Sequence, residues 1–127
     1  MRTVDLTYII DDDKIFVFVL KKYLEKNDNF NKVLDFKNGE EVINLLSDEN
    51  NQLPDIILLD INMPVIDGWQ FLEQIEKLPH KEKLNVFIMS SSIDANDIEK
   101  SKSFSTVKDF ISKPINNEKL NKLIESI

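Results

Sequence analysis

Ile56, Ile57, Leu58 and Leu59 form an unbroken apolar run that ends in Asp60, and Asn62 and Pro64 halt the pattern immediately afterwards. A wholly apolar segment this short reads as a strand buried on both faces, the pattern of a central strand in a parallel sheet. Asn and Pro so close behind it stop the strand. An open α/β sheet builds its ligand site outside the carboxyl ends of its strands. Asp60 is therefore expected where chemistry is done, with hydrophobic packing fixing it from below.

A second strand ends the same way. Leu6 to Ile10 is apolar and β-prone, and it runs into Asp11, Asp12 and Asp13. If the two strands are neighbours, at least three carboxylates converge on one edge of the sheet. Like charges at that range repel unless a cation joins them. Carboxylate and carbonyl oxygens are hard ligands that suit Mg²⁺. Aspartates after strands also serve as turn formers and helix caps, and Asp13 is expected to cap the helix that follows it. Two acidic strand ends in one small α/β pattern are harder to assign to turn chemistry alone.

Strand and helix patterns alternate along the chain. Lys14–Lys26 reads as a first helix with Phe16, Val19, Leu20, Tyr23 and Leu24 on its inward face, although the β-prone stretch from Ile15 to Leu20 competes. Lys32–Phe36 is the second strand. Asn38 starts the second helix, with Glu41 placed for a capping box and Val42, Leu45 and Leu46 inward. The third strand, Ile56–Leu59, precedes a helix that begins at Asp67 and Gly68 and carries Phe71, Leu72 and Ile75. Val86–Met89 is the fourth strand, ending in Ser90, and Asp94–Phe104 a polar helix. Val107–Ile111 is the fifth strand, followed by Ser112, Lys113 and Pro114. The last helix, Asn117–Ile127, carries Leu120, Leu123, Ile124 and Ile127. Five strands alternating with five helices indicate a doubly wound parallel sheet. In the flavodoxin-like order 2-1-3-4-5, strands 1 and 3 lie side by side at the switch point, with helices on both faces. That order brings Asp11, Asp12 and Asp60 together, and the next two strands contribute Ser90 and Lys113.

Composition narrows the chemistry. The 127 residues are read as one domain, residues 1–127, with no apolar run of membrane-span length and no signal segment. Cysteine is absent, which removes disulfides, thiolate metal sites and a cysteine nucleophile, and fits a cytoplasmic protein. Net charge is -7, which disfavours direct nucleic-acid binding. Two glycines leave no glycine-rich phosphate cradle, and the single histidine, His80, is expected to be a solvated loop residue.

These residues together resemble the receiver domain of response regulators, the phosphoacceptor module of two-component signalling. The resemblance rests on Ile10-Asp11-Asp12, on Leu59-Asp60 through Met63-Pro64 with Asp67-Gly68, on Met89-Ser90-Ser91 and on Lys113-Pro114, and it covers essentially the whole chain. It implies that Asp60 is phosphorylated by the phosphohistidine of a histidine kinase or histidine phosphotransfer protein. It implies that Asp12, Asp60 and the Asn62 carbonyl bind Mg²⁺, with Asp11 acting mainly through water. Ser90 and Lys113 would contact phosphoryl oxygens, and Phe110 would be the aromatic residue that changes rotamer on activation. Similar proteins often carry a cis peptide before the proline matching Pro114. Phe110 stands where Tyr is frequent, Ser90 where Thr is commoner, and Thr106 where Gly is usual. The output partner is expected to be another protein, with no direct contact to nucleic acid or membrane.

The reading is a single-domain response regulator that catalyses only its own phosphorylation and dephosphorylation. A receiver cut from a longer regulator is the alternative. A Mg²⁺-dependent phosphatase using Asp60 would want a second acid two residues on, where this chain has Asn62. A flavin module of this topology would need a phosphate loop after strand 1, where three aspartates stand instead. Helical periodicity adds a partner surface: Phe18 points away from the expected inward stripe, with Ile15 one turn earlier. Rimmed by Lys14 and Lys22, the two are expected to dock the phosphodonor.

Overall fold

The computed structural model describes residues 3–48, 50–61, 63, 66–91 and 94–127. The strands are β1 (Val4–Ile10), β2 (Phe30–Phe36), β3 (Ile56–Asp60), β4 (Val86–Ser90) and β5 (Val107–Ser112). The helices are α1 (Lys14–Lys26), α2 (Gly39–Ser47), α3 (Gly68–Ile75), α4 (Ala95–Ser101) and α5 (Asn117–Glu125). The sheet is parallel throughout, in the order β2-β1-β3-β4-β5. This is the expected doubly wound, flavodoxin-like arrangement.

Every residue of β3 and β4 is buried, because helices cover both faces of the sheet. Ile57 and Leu59 pack on one face with Val42, Leu46, Phe71 and Leu72 of α2 and α3. Ile56 and Leu58 pack on the other with Val17, Leu20 and Leu24 of α1 and Leu120, Leu123 and Ile124 of α5. The apolar run thus divides its side chains between two cores by simple strand alternation. Among the described residues, no helix is long and apolar enough to cross a membrane.

Several local expectations need correction. In α1 the buried residues are Val17, Leu20 and Leu24, while Val19 is 46 % exposed and Phe16 and Tyr23 sit half-buried at the margin. Six consecutive apolar residues from Ile15 to Leu20 leave the helix phase undetermined by pattern, and docking onto the sheet chose Val17. The capping box forms at α3, where Asp67 and Gln70 satisfy each other's backbone N–H groups, and Asn38 caps α2 through the Glu40 N–H alone. The polar fourth helix is shorter than expected, with Asp94 as its cap. His80 is half-buried, its Nε2 2.8 Å from the Leu46 carbonyl near the end of α2. Asp13 does cap α1, accepting from the Ile15 and Phe16 N–H groups.

Candidate functional site

Register places the acids. Ile10 pairs with Leu59, so the residues that follow, Asp11 and Asp60, emerge side by side at the carboxyl edge. Their backbones are pinned: the Asp11 N–H donates to the Phe36 carbonyl at 3.0 Å, and Asp60 is the last residue of a buried strand. Gly68 closes the far side of this corner. Its N–H donates to the Ile61 carbonyl at 2.8 Å, and a Cβ there would lie 2.6 Å from the Ile61 Cα and 3.0 Å from the Asp60 carbonyl oxygen. Only glycine lets the start of α3 approach the strand end so closely.

Carboxylate oxygens of Asp11, Asp12 and Asp60 lie within 4.8 Å of one another, with Asp11 and Asp60 buried and Asp12 exposed. This group could hold a metal ion. The donor set is all hard oxygen and one acid opens to solvent, which fits a divalent cation that keeps part of its water. Asn62 lies outside the described residues. Ser90, buried at the end of β4, pairs with Ser112, and its carbonyl accepts the Lys113 N–H at 2.9 Å.

Lys113 reaches across the acids. Its Nζ lies 2.9 Å from Asp11 Oδ2 and 3.9 Å from Asp60 Oδ1. The other Asp11 oxygen accepts the Asp13 N–H at 2.9 Å, so both oxygens of this buried carboxylate are bonded. The Lys113–Pro114 bond is cis, as the resemblance implied. The arrangement therefore gathers one ammonium and three carboxylates around the end of β3, a place where an incoming anion meets fixed positive charge if a cation joins the acids.

The remaining residues named from sequence lie on β5 and α1. Phe110 sits half-buried on β5, against the edge of the core shared by α2 and α3. Ile15 and Phe18 on α1 are 79 % and 62 % exposed. Phe18 also lines a cleft with Asp11, Asp12, Lys14 and Lys21, which places it beside the acidic centre.

Two contacts had no sequence signal. The Lys113 Nζ sits 4.2 Å from the centre of the Phe16 ring, a residue that helical periodicity assigns simply to the core. At the opposite edge, Glu76 accepts from the Ser105 and Thr106 N–H groups and from the Ser105 hydroxyl, and pairs with Lys81. Burial pushes this carboxyl up. The Thr106 N–H, the Ser105 hydroxyl and Lys81 outweigh it and hold the group down at about 2. Thr106, which stands where similar receivers usually carry glycine, thus uses its backbone N–H as an ordinary donor.

Comparison with known proteins bears on the family and the fold. The family model of the response regulator receiver domain matches residues 7–125. Chemotaxis protein CheY of Listeria monocytogenes is 30 % identical over 120 residues, covering 94 % of this chain and 96 % of the relative. Protein PilH of Pseudomonas aeruginosa is 29 % identical over 119 residues, covering 94 % and 93 %. A solved two-component response regulator from Cytophaga hutchinsonii superposes with a TM-score of 0.87 at 31 % identity, covering 98 % of this chain and 96 % of that one. A protein-glutamate methylesterase/protein-glutamine glutaminase of Methanospirillum hungatei is 40 % identical over 72 residues, but the match covers only 20 % of that relative's length.

Proposed function

This chain belongs to the response-regulator receiver domain family, and from that premise we propose that it accepts a phosphoryl group on Asp60 in a Mg²⁺-dependent reaction. The observation that carries the proposal is the convergence of Asp11, Asp12 and Asp60 within 4.8 Å, with the Lys113 ammonium 3.9 Å from Asp60.

Asp60 is the nucleophile. A carboxylate oxygen attacks phosphorus of a partner's phosphohistidine, a P–O bond forms, and the P–N bond breaks. Its electron pair leaves with the imidazole, which takes up a proton. Phosphoryl transfer asks chiefly for positioning and for neutralisation of the equatorial oxygens. Asp12 and Asp60, with the Asn62 carbonyl that the family resemblance adds and Asp11 through water, would hold the Mg²⁺, which would supply part of that positive charge. Lys113 supplies another part by turning from Asp11 toward a phosphoryl oxygen, and the Ser90 hydroxyl donates to a third position. Phe110 responds to that rearrangement on β5 and passes it to an output surface read by another protein. The same step serves a stand-alone regulator and a receiver within a longer chain.

The phosphodonor docks over α1. Phe18 lines the acidic cleft beside Lys14, with the Lys22 ammonium over its ring, and Ile15 is exposed on the same helix. In a chain of net charge -7, this local cationic rim favours an acidic partner surface around an apolar centre.

The direct test is incubation with acetyl phosphate and Mg²⁺ followed by intact mass. A gain of one phosphoryl group, dependent on Mg²⁺ and absent in Asp60→Asn, is expected. Labelling that persists in Asp60→Asn would assign the acceptor elsewhere, and turnover of a small phosphomonoester would make the protein a phosphatase instead.

A further inference from the structure

Lys113 is restrained from two sides. Asp11 Oδ2 accepts its ammonium at 2.9 Å, and the face of Phe16 lies 4.2 Å away. The side chain is only 16 % exposed, so both contacts act with little competing water. The backbone of Phe16 is held by the cap of α1, because its N–H donates to Asp13 Oδ1 at 3.1 Å, and Asp13 in turn donates its N–H to Asp11, while the side chain packs at the margin of the core. One short segment, from Asp11 to Phe16, therefore supplies both the acid and the ring that hold the ammonium.

A lysine ammonium rides on a flexible four-carbon stem, and its position has to be imposed by its surroundings. A further carboxylate beside it would impose that position at the cost of repelling the incoming phosphoryl group. An aromatic face attracts a cation through its quadrupole while carrying no net charge. The ring thus restrains Lys113 without making the pocket more negative.

Resting on the reading of Asp60 as phosphoacceptor, we propose that Phe16 is a positioning residue for phosphoryl transfer, whose ring holds the Lys113 ammonium over the carboxylates by a cation–π contact. Its bulk also packs at the margin of the core, so a structural role has to be separated from an electronic one. Replacing Phe16 by increasingly fluorinated phenylalanines preserves shape while draining the negative face of the ring. The expected result is a stepwise fall in the rate of acetyl-phosphate labelling of Asp60, reaching roughly two- to fivefold at the most fluorinated ring. Phe16→Leu should show a similar loss and Phe16→Trp should restore the rate. Proton NMR reads the contact independently of the reaction. The Lys113 ε-methylene protons should be shifted upfield by the ring in the unsubstituted protein and lose that shift in Phe16→Leu.

A rate indifferent to fluorination, in a protein that labels at Asp60, overturns the role of Phe16 while leaving the acceptor intact. An unshifted ε-methylene signal in the unsubstituted protein overturns the contact itself. Absence of any phosphoryl gain in the unsubstituted protein removes the acceptor reading and this role with it. Should Phe16→Leu unfold, the fluorinated series still decides the question.

Discussion

Lys113 donates to the Asp11 carboxylate at 2.9 Å across 102 positions of sequence, joining the end of β5 to the end of β1. The pair holds a cation against one of the three acids that a metal would need. It partly neutralises the cluster, and any ion entering the site meets an acid whose two oxygens already have partners.

Divalent metal should stabilise the fold by relieving repulsion among Asp11, Asp12 and Asp60. A ligand that binds only the native state adds about 2.7 kcal/mol at a hundredfold excess over its dissociation constant. Thermal melts with and without Mg²⁺ should therefore separate for this protein and nearly coincide for Asp12→Ala. Equal shifts in the two proteins would remove Asp12 from the metal site.

Lys113→Ala should retain Mg²⁺ binding, since an ammonium is no metal ligand, yet lose the conformational response to phosphorylation. Mg²⁺ titration followed by thermal shift measures the first, and backbone amide NMR with and without acetyl phosphate the second. Loss of Mg²⁺ binding in this variant would contradict the separation between metal-holding acids and a phosphoryl-reading lysine.

Phe18→Ser should leave the melting temperature and acetyl-phosphate labelling nearly unchanged, because the side chain is 62 % exposed. Transfer from a cognate phosphohistidine protein should slow, since removal of an apolar anchor at the centre of an interface costs 1 kcal/mol or more, roughly five- to tenfold. Stopped-flow or radiolabel transfer assays separate the two donors. Equal transfer rates for the two proteins would place the dock elsewhere.

Glu76 predicts an acid-sensitive component of stability. Its carboxyl is held at about 2 against an ordinary 4.5, so the stabilisation is complete above 4.5 and is lost as pH falls toward 2. The side chain is 18 % exposed, and screening at the surface leaves a contribution of about 1–2 kcal/mol. Denaturant melts of the wild type and Glu76→Gln should differ by that amount at pH 7 and converge near pH 2. A gap independent of pH would mean that the charge on Glu76 contributes nothing.

The alternation of strands and helices was legible because it depends on local pattern. Ile56 to Leu59 is too short, and too closely bounded by Asn62 and Pro64, to read as a buried helix, and Asp67 with Gly68 marks a helix start without reference to any distant residue. The acidic ends of β1 and β3 were legible for the same reason, since a strand ending in aspartate is a feature of adjacent residues. What pattern could not settle was phase. Six apolar residues in a row at the start of α1 offer several equivalent inward faces, and only the shape of the sheet beneath selected Val17 over Val19.

The sequence alone determined the order of the elements and the identity of the residues at the carboxyl edge. Only the tertiary structure decided which of those residues touch. The Lys113 contacts with Asp11 and Phe16, and the Glu76 bonds to Ser105 and Thr106, join segments far apart in the chain through side-chain directions. Those directions are set by strand register and by the close approach of packed layers. Neither leaves a periodic trace in the sequence.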